Sequence, residues 1–163
     1  MSRHLLFKLE GPYFPITINP AISIKDLYQE VLTNIKSRGD IKLKGRTLLP
    51  DHGSRELFCR YAILREETTL QDVQANAKGN NIILADTMRF LAFAHKHIHT
   101  EVTRDKSTPI VAADKNSTWF SHQTLSSAAM GLKWDQCHYA TGPFLFPVSG
   151  LLKKGTRFLT ICK

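Results

Sequence analysis

Residues 24–35 carry the pattern that most limits what this chain can fold into. Ile24, Leu27, Tyr28, Val31, Leu32 and Ile35 recur at i, i+3, i+4, i+7, i+8 and i+11, the single apolar stripe of an amphipathic helix. Ser23, with Asp26 three residues later, starts that helix in the manner of a capping box, and the carboxylate suits the positive end of the helix dipole. Lys36 and Arg38 complement the other end, where Gly39 can take the left-handed conformation that stops a helix.

The flanking segments have the other periodicity. Leu5, Phe7 and Leu9 alternate with Leu6, Lys8 and Glu10, and Phe14, Ile16 and Ile18 alternate again after Gly11-Pro12. Two strands joined at a Gly-Pro turn predict a hairpin that ends at Asn19-Pro20. Ile41, Leu43, Leu48 and Leu49 around Gly45 predict a short strand, and Phe58 to Leu64 another. Thr69 to Val73 reads as a short capped helical turn, and Ile82-Ile83-Leu84 as a buried strand.

That order of elements resembles the ubiquitin-like, β-grasp family. The resemblance covers residues 4–86, through "LLFKLEGPYFPITINPAISIKDLYQEV", "IKLKGRTLLPDHG" and "TTLQDV" followed by "NNIILA", with an insertion near residues 50–65. It implies a binding fold of the kind adaptors use. Neither Leu84-Ala85-Asp86 nor Thr160-Ile161-Cys162-Lys163 supplies the Gly-Gly tail of conjugated members, so conjugation is not expected.

Residues 87–163 read differently. Met88 to Ala94 is compatible with helix or strand, and Ile110-Val111-Ala112 with a short strand. Leu125, Ala128, Ala129 and Leu132 suggest a helix from Ser121 to Trp134, and the two prolines and glycine of residues 139–148 suit an edge strand or loop. Residues 151–161 predict a hairpin around Lys153-Lys154-Gly155. The expected fold class is α+β: a ubiquitin-like β-grasp region over 1–86 and a basic, mainly β region over 87–163, the two packing separately or as one domain.

Composition sets the function classes. At 42% hydrophobic and 22% charged residues the 163-residue chain is globular in type. No apolar run is long enough to span a bilayer, and the first residues do not read as a signal peptide, so an intracellular protein, cytoplasmic or nuclear, is expected. Cys59, Cys137 and Cys162 are widely spaced and odd in number, which suits free thiols and excludes a zinc ribbon. Of the net charge of +8, most of the excess falls after residue 86, where 10 Lys and Arg face 4 Asp and Glu, against 12 and 10 before it. Such a surplus attracts RNA or other phosphates, anionic membranes or acidic proteins.

Three arrangements could carry function. The basic residues Lys42, Lys44, Arg46, Lys153, Lys154 and Arg157 form two clusters, the second near Phe144, Phe146 and Phe158 in sequence. Cations beside aromatics can hold a phosphate backbone while bases stack. In "HKHIHTEV", His95, His97, His99 and Glu101 share one face if the segment is a strand, which could hold zinc with His122, His138 or Asp135. On a helix only His95 and His99 share a face. His97 or His99 with His122 could act as base and acid on a ribose 2′-hydroxyl, with Lys115 or Arg157 stabilising the phosphorane, a metal-independent ribonuclease. Cys137-His138 is disfavoured as a nucleophile–base dyad, because adjacent strand residues point to opposite faces. No Gly-rich phosphate loop or G-x-S-x-G elbow is present. The sequence therefore points first to a non-enzymatic adaptor that meets RNA or an acidic protein through the basic clusters, requiring no cofactor. The ribonuclease is the alternative, and a zinc-holding regulator a third possibility.

Overall fold

The computed structural model describes residues 4–19, 21–34, 55–104, 109–113, 128–135, 140–147 and 150–162. They form three helices and a mixed six-stranded sheet, an α+β architecture. The strands of the large sheet are β1 (Phe7–Ile18), β2 (Arg55–Leu64), β4 (Ile110–Val111), β5 (Ala128–Asp135), β6 (Ala140–Pro147) and β8 (Arg157–Cys162). Their spatial order is β1-β2-β8-β4-β5-β6, antiparallel throughout except where β4 runs parallel to β8. A second, two-stranded sheet pairs β3 (Thr68–Thr69) with β7 (Leu151–Leu152). Because β8 lies between β2 and β4, the large sheet contains strands from both sides of residue 86.

Helix α1 (Ile24–Asn34) forms as its stripe requires, with Ile24, Leu27, Tyr28, Val31 and Leu32 all buried. Ser23 Oγ accepts the Asp26 N–H at 3.1 Å, which satisfies one of the free donors of the first turn. Helix α2 (Leu70–Gly79) starts the same way, Thr69 Oγ1 accepting the Asp72 N–H at 3.2 Å, and runs on past the short turn expected there. Helix α3 (Thr87–Arg104) is capped by Asp86, whose Oδ1 accepts the Arg89 N–H at 3.0 Å. It resolves the ambiguity of residues 88–94 as helix. No helix among the described residues is long and apolar enough to cross a membrane.

Strand alternation gives the sheet two apolar faces. Phe14, Ile16, Cys59, Tyr61 and Leu159 point to α1 and α3, in one core cluster. Phe7, Ala62, Leu64, Val111 and Phe158 point the other way, against Leu70, Val73 and Ala77 of α2. Both faces of the central strands are therefore apolar, as expected of a sheet covered on two sides.

Several sequence expectations are corrected. Residues 7–18 make one strand and not a hairpin, because both halves pair with the same partner, β2. Glu10 pairs with Tyr61 and Phe14 with Cys59, so the Gly11-Pro12-Tyr13 stretch is taken up as a bulge. Ile82-Ile83-Leu84 contributes one isolated bridge, Leu84 to Thr160, and Ile83 is 45% exposed. Ala128–Asp135 is strand where a helix was expected, because β4 and β6 pair along its two edges; residues 121–127 lie outside the described residues. The Lys153-Lys154-Gly155 turn forms, with Gly155 at φ 93°, but β7 pairs with β3 and β8 with β2, so the two strands it joins are not a hairpin. The strand expected over Ile41–Leu49 lies outside the described residues. Residues 139–148 are expected at an edge, and β6 is indeed the last strand of the sheet.

Gly131 of β5 illustrates the packing tolerance. A Cβ there would lie 2.6 Å from the Phe144 ring and 2.7 Å from Val111 Cγ1. Gly131→Ala is expected to cost about 1–3 kcal/mol through forced displacement of both side chains. Equilibrium urea unfolding reads this as a lower midpoint; an unchanged midpoint would contradict the packing described.

Candidate nucleic-acid interface

Helix α2 covers only part of its sheet face. By the register of β2 and β8, Phe58, Arg60 and Ala62 share that face with Cys162, Thr160 and Phe158. The helix covers the Ala62 and Phe158 end, and the Phe58 and Cys162 end is open. Phe58 is 49% exposed, and Tyr13, thrown out from β1 at the bulge, is 57% exposed. The Arg60 guanidinium lies over the Tyr13 ring, 5.3 Å from its centroid, a cation–π contact that holds both side chains in place.

The chain between α2 and α3 crosses the end of this open surface. Ile83 O accepts the Ile161 N–H at 2.8 Å, and the Ala85 N–H donates to Leu159 O at 2.8 Å. These bonds fix Ile83 along the edge of β8 beyond the point where β4 ends. A hollow of about 300 Å³ lies beside Ile83, lined by Leu9, Arg60, Thr160 and Cys162. Another, of about 540 Å³, is lined by Glu56, Phe58, Ile83, Arg89 and Cys162. Arg89 Nη1 donates to Asp86 Oδ2 at 2.8 Å, while its buried Nε has no hydrogen-bond partner among the described residues.

The basic residues expected to bind are distributed unequally. Lys153 and Lys154 are exposed on the turn before β8, next to Leu151. Arg157 is not on the surface: it is 4% exposed, and its guanidinium lies 5.2 Å from the Tyr61 centroid on the face that α1 and α3 cover. The reason is its place at the start of the central strand β8, with core on both sides. Lys42, Lys44 and Arg46 lie outside the described residues. A further cation–aromatic contact, Lys133 Nζ 5.0 Å from the Phe144 centroid, joins β5 to β6.

Helix α3 separates the histidines that a strand would align. His95 is on the outside and pairs with Glu30 of α1 at 3.0 Å. His97 is half-buried, its Nε2 2.7 Å from Pro15 O, with its ring 5.2 Å from Phe14 and 5.3 Å from Phe93. The shared face of His95, His97, His99 and Glu101 is therefore not formed, because a helix turns through about 100° per residue. His99 is on the same helix; His122, His138, Lys115 and Cys137 lie outside the described residues. No group of three or more His, Cys, Asp or Glu among the described residues could hold a metal ion. His97 packs as part of the core and does not face any second catalytic group described.

Sequence reading missed Tyr13, Phe58, Arg60 and Ile83. Arg60 interrupts the apolar run of β2, the one signal available, but the run does not reveal which half of the face α2 leaves open. Cys59, buried and donating to Phe14 O at 3.6 Å, has its thiol pushed up to about 12 by burial and then by Cys162 nearby. No family model, curated protein or solved structure matches the chain.

Two outcomes follow from the packing of these side chains. His97→Ala is expected to destabilise the fold by about 1–3 kcal/mol through loss of its ring packing, and His95→Ala by under about 0.5 kcal/mol because its contact with Glu30 is solvated. Urea unfolding at neutral pH separates them; equal losses would contradict the placement. The raised thiol of Cys59 keeps its proton in the fold, so it stabilises the protein below about pH 9 and that contribution is lost as pH rises towards about 12. At pH 8, residue-resolved mass spectrometry after alkylation should show Cys162 modified well before Cys59.

Proposed function

We propose that this chain is a non-enzymatic binding protein whose partner is RNA, contacted on the open half of the α2-side sheet face. The single observation that carries the reading is the Arg60 guanidinium resting on exposed Tyr13 beside exposed Phe58. Aromatic side chains on an open sheet stack unpaired bases, and arginine engages phosphate or lies parallel to a base plane. The net charge of +8 supplies long-range attraction for a polyanion. Lys153 and Lys154, exposed on their turn, are the described lysines assigned to phosphates.

An acidic protein could use the same charge, but would not need exposed aromatic rings. The ubiquitin-like, β-grasp assignment of residues 4–86 belongs to this proposal as a finer statement of the fold. Its support is α1 lying against the antiparallel β1–β2 pair. The single strand β1, in place of an initial hairpin, departs from that pattern.

Fluorescence anisotropy with a labelled oligoribonucleotide tests the reading. Binding is expected at low salt and should weaken steeply as salt rises, without cleavage of the RNA. Arg60→Ala should weaken it about 5- to 100-fold, and Lys153→Ala with Lys154→Ala should lower the salt slope by about 1 to 2. Absence of binding at low salt, or binding indifferent to Arg60→Ala, would contradict the proposal.

A further inference from the structure

We infer that the first half of β1 is a dimerisation edge, which pairs antiparallel with the same segment of a second copy of this chain about a two-fold axis at Leu9. The inference goes beyond the RNA-binding reading and does not depend on it. Strands β1 and β6 are the outermost of the large sheet, so each leaves one row of backbone groups without a strand beside it among the described residues. The β6 edge is interrupted by Pro143 and Pro147, which have no N–H to donate. The β1 edge carries no proline between Phe7 and Gly11.

The register of β2 shows which groups of β1 point outward. The Leu64 N–H donates to Thr156 O and Leu64 O accepts the Gly155 N–H, both at 2.9 Å, so Leu64 turns its backbone groups away from β1. By the alternation of an antiparallel pair, Ile63 and Tyr61 then bond to Lys8 and Glu10, and Phe7 and Leu9 direct their N–H and C=O groups to the open edge. The Arg65 N–H, which donates to Leu6 O at 2.9 Å, fits the same alternation. Beyond the bulge the edge is blunted. Pro15 has no N–H, and its carbonyl oxygen lies 2.7 Å from His97 Nε2. An incoming strand therefore meets a continuous row of donors and acceptors only before the bulge.

Charge identifies the occupant. Exposed Lys8 and Glu10 flank Leu9, and neither has an ion pair among the described residues. Pairing Leu9 with Leu9 of a second copy sets each Lys8 across from the other copy's Glu10, twice by symmetry. Phe7 then falls opposite Gly11 of the second copy, where open space stands in place of a side chain. The two nearest registers that keep the outward groups in phase are opposed by like charges: one puts Lys8 across from Lys8, the other Glu10 across from Glu10. The segment is thus complementary to itself in the register centred on Leu9. An edge-to-edge pair keeps each face of the sheet on its own side, so the Tyr13–Arg60 contacts of both copies lie on one side of a continuous sheet.

Sedimentation velocity of the full chain without nucleic acid, over a rising micromolar concentration series, tests the inference. A monomer–dimer equilibrium is expected. Lys8→Glu and Glu10→Lys should each weaken it about 5- to 30-fold, because each makes both cross-strand pairs like-charged, while circular dichroism melts stay close to the parent's. An equimolar mixture of the two variants should recover the dimer, since every pair across the two strands then joins opposite charges. The double variant K8E/E10K should dimerise like the parent for the same reason. A monomer at every concentration, a dimer indifferent to both reversals, or a loss that neither mixing nor the double variant restores would overturn the inference, and each of these leaves the RNA-binding reading standing.

Discussion

Strand β8 is hydrogen-bonded along both edges, and the rest of the architecture depends on that pairing. One edge runs against β2 from Phe58 to Ile63. The other meets β4 at Arg157 and then residues 83–85, which take the edge over where β4 ends. Strands from both sides of residue 86 thereby become one sheet, with an apolar layer on each face. The same pairing aligns Phe58 with Cys162 and Arg60 with Thr160, and holds Ile83 beside them. The proposed interface is thus a direct product of the central strand's register: a slip of one residue would turn Phe58 and Arg60 into the other face.

How much of this was legible in the sequence depended on whether the deciding contacts were local. The α1 stripe and its Ser23 cap are local, and both formed. The alternation of β1 was also legible, but Gly11-Pro12 suits a turn or a bulge equally; the choice was made by β2, more than forty residues away in sequence. Ala128, Ala129 and Leu132 fit a helical spacing and lie on a strand, because small residues satisfy either period and the neighbours β4 and β6 decide. The exposed lysines of the 153–154 turn could be read from sequence. The burial of Arg157 could not, since nothing local marks β8 as central.

The site was less legible than the fold for a related reason. Charge is visible residue by residue, so sequence reading favours lysine and arginine clusters. An uncovered half of a sheet face is visible only as a mismatch in extent, here between a ten-residue helix and the longer surface under it. Phe58 is an ordinary strand residue until that mismatch exposes it, and Tyr13 until the bulge of β1 does. His95 and His97 show the converse: conspicuous in sequence, they are divided by α3 between an outer contact with Glu30 and a half-buried position against Phe14 and Phe93. A half-open face with Tyr13 and Phe58 exposed forgoes burial that a longer α2 would have provided, and this is where the proposal places the partner.

Amide chemical-shift mapping during titration with a single-stranded oligouridylate tests the central claim most directly, because it locates contact without altering any residue. Perturbations are expected to concentrate at residues 13, 56–60, 81–84 and 160–162, with smaller, salt-sensitive shifts at 153–154. Perturbations confined to α1 and α3, or no change at ligand excess and low salt, would contradict it.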